Sequence, residues 1–120
     1  MPITIHELQS FVIGDDWVIN GALTEEDGET PLDPTPATSI TWKFDDETGM
    51  SNLFTLTYPG GGIAVGSIPN WSKPGVIITL PKADTTTLTP GTYRDQLRLV
   101  LGGQTITFWQ GPIQALEQLT

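Results

Sequence analysis

The sequence contains no cysteine, so it has no disulfide frame, no thiolate nucleophile and no zinc–thiolate site, and redox chemistry says nothing of its compartment. Stability must come from burial. Histidine is nearly missing as well: His6 is the one imidazole, and it falls in what reads as a terminal arm, a structural or merely exposed residue. Basic residues are scarce, five Lys and Arg against fourteen Asp and Glu, for a formal net charge of -9. A surface of that sign repels phosphate backbones and anionic headgroups, so neither nucleic acid nor membrane is an expected partner. No apolar run approaches the roughly 18 residues of a membrane helix, and MPITIHELQSFVIGDDW has neither the basic nor the apolar region of a signal peptide.

What is present is one domain's worth of core. The 120 residues are 38% hydrophobic and include four Trp and four Phe, enough for a single domain over 1–120 with terminal arms at 1–8 and 114–120. The 13 Gly and 10 Pro are spread between short apolar runs, as many turns and few helices require. In FVIGDDWVINGALT, residues Trp17, Ile19, Gly21 and Leu23 share one parity, which predicts a strand ending near Thr24. EEDGETPLDPTP follows as a loop of two bends, since its prolines forbid a central strand.

ATSITWKFDD alternates cleanly, with Ile40, Trp42 and Phe44 on one face; LFTLTY does the same with Phe54, Leu56 and Tyr58 before Pro59 and glycines 60–62 break it. Ile63–Ser67 reads as a short strand, and VIITL as one carrying Val76, Ile78 and Leu80 on one side. The threonine-rich stretch between Pro81 and Gly91 reads as a helical turn or corner. Leu97, Leu99 and Leu101 then lead through Gly102-Gly103 into Gln104–Trp109, an antiparallel hairpin, and a helical period is visible only over Ile113–Leu119. About seven strands at this spacing predict an all-β, immunoglobulin-like antiparallel sandwich.

The inventory for catalysis is thin. No GxSxG, HExxH or P-loop pattern occurs, and GGGIAVG lacks the Lys and Ser/Thr that grip phosphate and magnesium. Asp15, Asp16, Asp45, Asp46 and Glu47 are the carboxylates a glycosidase would need, but they fall in turns, so no enzyme and no cofactor are expected. Glu25, Asp27, Glu29 and Asp33 could offer oxygens to calcium, though their spacing matches no EF-hand and a solvated acidic loop is the plainer reading. Trp17, Trp42 and Trp109 fall in strand patterns and read as core or interface. Trp71, in IPNWSKPG, is the indole best placed to be exposed or to anchor a partner.

Taken in order, FVIGDDW, DGETPLDPTPATSITWKF, GGGIAVG and LTPGTYRDQLRLVLGGQTITFWQGPI resemble the immunoglobulin-like domain of tailed-phage virion proteins, including the N-terminal domain of baseplate upper-protein type. Gly14-Asp15, Asp27-Gly28, Pro31–Asp33, Thr38–Trp42, Thr87–Tyr93 and Gly111–Ile113 take the family's places, although DPTP stands where the family has Asp-Leu-Thr-Gly. The resemblance implies a non-enzymatic particle protein, made in the host cytoplasm and resident in the virion. It would be homo-oligomeric or present in many copies, docked on other virion proteins of tail, baseplate or capsid. With no fibre or coiled coil after Ile113, a small accessory role is the expectation rather than receptor binding. Trp71, His6 and the tail residues Glu117 and Leu119 are the candidate partner contacts. The competing expectation is a free-standing carbohydrate-binding or adhesive module using Trp71 and the acidic loops.

Overall fold

A computed structural model describes residues 9–25, 29–48 and 50–117. The protein is all-β. Its elements are β1 (Gln9–Val12), β2 (Trp17–Gly21), β3 (Ser39–Asp46), β4 (Asn52–Tyr58), β5 (Ile63–Gly66), β6 (Gly75–Leu80), the single-turn helix α1 (Lys82–Thr85), β7 (Gly91–Leu101) and β8 (Gln104–Leu116). They form a five-stranded sheet of order β1-β8-β7-β3-β4 and a three-stranded sheet of order β2-β6-β5.

The alternation read from the sequence is what joins the sheets. Ile40, Trp42 and Phe44 on β3 and Leu97 and Leu99 on β7 point from the larger sheet; Ile19 on β2 and Val76, Ile78 and Leu80 on β6 answer from the smaller one, and all belong to one buried cluster. Because strand side chains alternate faces, each of these strands must turn its other residues outward. The rings interlock: Phe11 stacks on Trp17 at 4.6 Å, and Phe44 lies between Phe54, 5.8 Å away, and Tyr93, 5.1 Å away. Gly102 and Gly103, with φ of 57° and 80°, take the two positive-φ positions of a tight hairpin turn that pairs Leu101 with Gln104.

Three expectations are corrected. FVIGDDWVINGALT is two strands, because Gly14, at φ 94°, breaks the run and sends β1 and β2 into different sheets. β1 then pairs in parallel with the end of β8, Phe11 opposite Ala115, so the larger sheet is mixed rather than antiparallel and eight strands are found among the described residues. For the same reason Gln114–Leu116 are part of β8, not a helical arm: Ile113 and Ala115 are buried while Pro112 and Gln114 are exposed, a period of two.

A close approach fixes one glycine. Gly75 begins β6 beside β2, where an added Cβ would fall 2.7 Å from the Gly21 carbonyl oxygen and collide with Ile68 Cδ1. The carbonyl is held in a sheet and cannot retreat cheaply. Gly75→Ala is expected to cost about 1–3 kcal/mol in urea denaturation, the range for overpacking a well-filled site.

Candidate functional site

The candidate residues collect at the two ends of the molecule. One end carries the 22–38 loop, the 67–74 connection and the Gly102-Gly103 turn, since Gly21 pairs Val76, Gly66 pairs Gly75 and Ser39 pairs Val100. Within the acidic loop, Glu25 N–H donates to the Thr30 carbonyl and Leu32 N–H to the Leu23 carbonyl, so the loop folds back on itself as a narrow ribbon. Glu25 and Glu29 are exposed on it, and Asp27 lies outside the described residues. Asp33 accepts the hydroxyl and the backbone N–H of Thr35. Those donors, with a smaller pull from Lys73, hold its carboxyl below the usual carboxylate range. Asp33 therefore shapes the turn, and among the described residues no group of three or more acidic or imidazole side chains is placed to hold a metal ion.

Trp71 sits in the same end, half-buried, and its indole Nε1 is buried with no hydrogen-bond partner among the described residues. A buried unpaired donor costs about 1–3 kcal/mol. Trp71→Phe removes that donor while keeping most of the ring, so stability is expected to stay within about 1 kcal/mol of wild type by urea denaturation, the lost N–H offsetting the lost ring volume. A loss well beyond that would mean that the N–H has a partner.

The opposite end gathers the β1–β2 turn, the β3–β4 turn and α1. The carboxylates there are employed structurally rather than facing one another across a cleft. Asp16 Oδ1 accepts the Lys82 N–H at 2.6 Å, supplying a cap to a helix whose own leading residue, Pro81, supplies none. Asp46 Oδ1 accepts from the Thr48 hydroxyl and from the Met50 and Ser51 amides, closing the β3–β4 turn, and Asp45 accepts the Asn52 amide at 2.9 Å. Asp15 and Glu47 are exposed.

Of the other partner candidates, His6 and Leu119 lie outside the described residues, and Glu117 is exposed just past β8, next to Leu116, which is 38% exposed at the strand's end. Trp42 is fully buried and Trp17 packs against the core, so neither indole offers a flat platform.

The exposed feature missed by sequence reasoning is the β4 edge. β4 ends the larger sheet, its sequence NLFTLTY holds neither charge nor proline, and Leu53 on it is 41% exposed beside Met50 at 88%. Natural edges are usually guarded by charge, proline or a bulge. Here the edge is guarded in part: the outward backbone groups of Thr57 are closed by two bonds with Gly61, Leu53 occupies a register shift opposite Phe44–Asp45, and the Asn52 side-chain amide donates to the Phe54 carbonyl. The signal was available in Met50, an apolar residue inside the polar turn DDETGMSN. Compared with models of known protein families and with curated proteins, the chain finds no match.

Proposed function

We propose that this chain is a non-enzymatic, immunoglobulin-like docking module of a multi-copy assembly, and specifically an accessory protein of a tailed-phage particle. The immunoglobulin-like part of the reading is supported by sheet order, β2-β6-β5 against β8-β7-β3-β4, with a buried Trp on β3. Tyr93 adds a second sign: near the start of β7, its hydroxyl donates back to the Thr89 carbonyl at 2.7 Å, as in the tyrosine corner of such sandwiches. The virion setting rests on the sequence resemblance.

The observation that carries docking is the uncharged β4 edge with Leu53 and Met50 uncovered beside it. Such an edge accepts a partner strand through main-chain hydrogen bonds, and the neighbouring apolar side chains supply contact area. The glycan-binding alternative asks for an exposed indole face, and Trp17, Trp42 and half-buried Trp71 give it little support.

Mass spectrometry of purified particles from the encoding source tests the reading. A copy number near a multiple of the tail symmetry assigns the chain to tail or baseplate, one near the capsomer count makes it a capsid decoration, and absence from particles overturns the virion role. Leu53→Lys is expected to leave folding stability within about 0.5 kcal/mol while abolishing incorporation, because a charged edge side chain resists strand addition.

A further inference from the structure

The chain has five basic residues, and three of them stand on one surface: the outer face of the five-stranded sheet. Lys43 on β3 and Arg94 and Arg98 on β7 are all exposed, and all alternate with residues that turn into the core. The register places Lys43 opposite Gln96, between the two arginines along β7. With a rise of about 3.3 Å per residue and strands about 4.8 Å apart, the three cations mark out a triangle with sides of about 8 to 13 Å. Around them the face is neutral except at one corner: Lys43 lies between Thr55 and Gln96 and Arg98 between Thr41 and Thr107, while Arg94 lies between Asp45 and Pro112. Asp45, the carboxylate on that face, takes the Asn52 amide.

The chain carries a surface that matches. The end built from the β1–β2 turn, the β3–β4 turn and α1 displays Asp15, Asp16 and Glu47, with Asp46 and Asp84 half-buried beside them and Lys82 as the base among them. Lys43 and Arg98 stand away from that end in the register, so these cations and the end's anions are complementary between two copies, whereas Arg94, opposite Asp45, already has a carboxylate beside it within one copy. We propose that the outer face of the five-stranded sheet docks the acidic end of a second copy of this chain. This deepens the docking-module reading and rests on it for its setting. The contact is heterologous, one copy giving its face and the next its end, so repetition yields a ring where the rotation closes and a filament where it does not.

The net charge of -9 opposes the approach of two copies at long range. At about 0.1 M salt that repulsion is screened beyond about 10 Å, whereas groups in contact are not; at about 1 M the screening length is near 3 Å and the contact pairs weaken too. Self-association is therefore expected near 0.1 M salt and lost near 1 M.

Sedimentation velocity on the purified full chain tests this, using a face variant, Lys43→Gln with Arg98→Gln, and an end variant, Asp15→Asn with Glu47→Gln. All four side chains are exposed, and far-ultraviolet circular dichroism checks that each variant folds. Wild type is expected to sediment well above the 13.0 kDa monomer at about 0.1 M salt. Each variant alone should associate at least about tenfold more weakly. A mixture of the two should form pairs and stop there, because the intact end of the face variant meets the intact face of the end variant and no further sites remain. A wild type that stays monomeric, variants that associate like wild type, or mixed variants that form no pairs would overturn the proposal; face-dependent retention on a sulfated polysaccharide by a monomeric wild type would assign the face to an anionic glycan instead. The assay uses the isolated chain, so it can fail while the protein is still found in particles, and succeed when it is not.

Discussion

Trp42→Ala is expected to leave the protein largely unfolded in dilute buffer. Trp42 is fully buried on β3, 5.9 Å from the Trp17 ring and 5.7 Å from Phe44, and its Nε1 donates to Asp95 Oδ2 at 2.8 Å. Truncating a core aromatic costs about 3–5 kcal/mol, and depriving a carboxylate that is 4% exposed of one of its donors adds about 1.5–3 kcal/mol. Against a total stability of about 5–15 kcal/mol for a domain, the combined loss is enough to shift the balance. A double-mutant cycle separates the parts. Trp42→Phe and Asp95→Leu should each destabilise by about 2–3 kcal/mol in urea denaturation, since each leaves the other's polar group buried without this bond. The double variant should lose about 1.5–3 kcal/mol less than the two losses added, because it removes donor and acceptor together. Losses that add to within about 0.5 kcal/mol would show that this hydrogen bond is not what holds Asp95 in the core.

Asp95 also marks where sequence reading stops. Periodicity identifies faces: Ile40, Trp42 and Phe44, then Val76, Ile78 and Leu80, then Leu97 and Leu99 were each assigned to one side of a strand, and each is buried. The same parity puts Asp95 with Leu97, but a carboxylate at a core-facing position reads as an interruption until its partner is known, and that partner is 53 residues away. Pairing between distant segments is equally silent. FVIGDDW looks like one strand with a polar dip, and nothing local says that Phe11 will lie beside Ala115. The candidate functional residues were legible only as types. Carboxylates in turns could be seen, but that Asp16 and Asp46 close structure while Asp15 and Glu47 stay exposed depends on which amide each one reaches. The three-cation face is an intermediate case, because the alternation that buries β3 and β7 fixes the outward side of Lys43, Arg94 and Arg98, while only the register brings them together.

Thr85→Val is expected to have the second large effect, out of proportion to the loss of one hydroxyl. Thr85 is fully buried in α1, and its Oγ1 accepts the Gly14 N–H at 3.1 Å while standing 2.8 Å from the Asp15 carbonyl, to which it donates. With Asp16 capping Lys82, the β1–β2 turn is clamped to the segment that carries the chain from β6 to β7. Valine matches threonine in shape but leaves an amide and a carbonyl without this partner, each at about 1–3 kcal/mol where water cannot replace it. Because the site is only partly buried, the expected cost is about 2–4 kcal/mol in total. Thr85→Ser keeps the oxygen and should lose about 1 kcal/mol, the worth of one buried methyl group. Amide exchange gives the local readout. β1 is four residues long and sits at a sheet edge, so releasing its turn should raise the opening rate of Gly14 and the β1–β8 ladder in the Val variant, with β3 and β7 protected as before. Equal losses in the Val and Ser variants would mean that the methyl group, and not the clamp, secures β1 against β8.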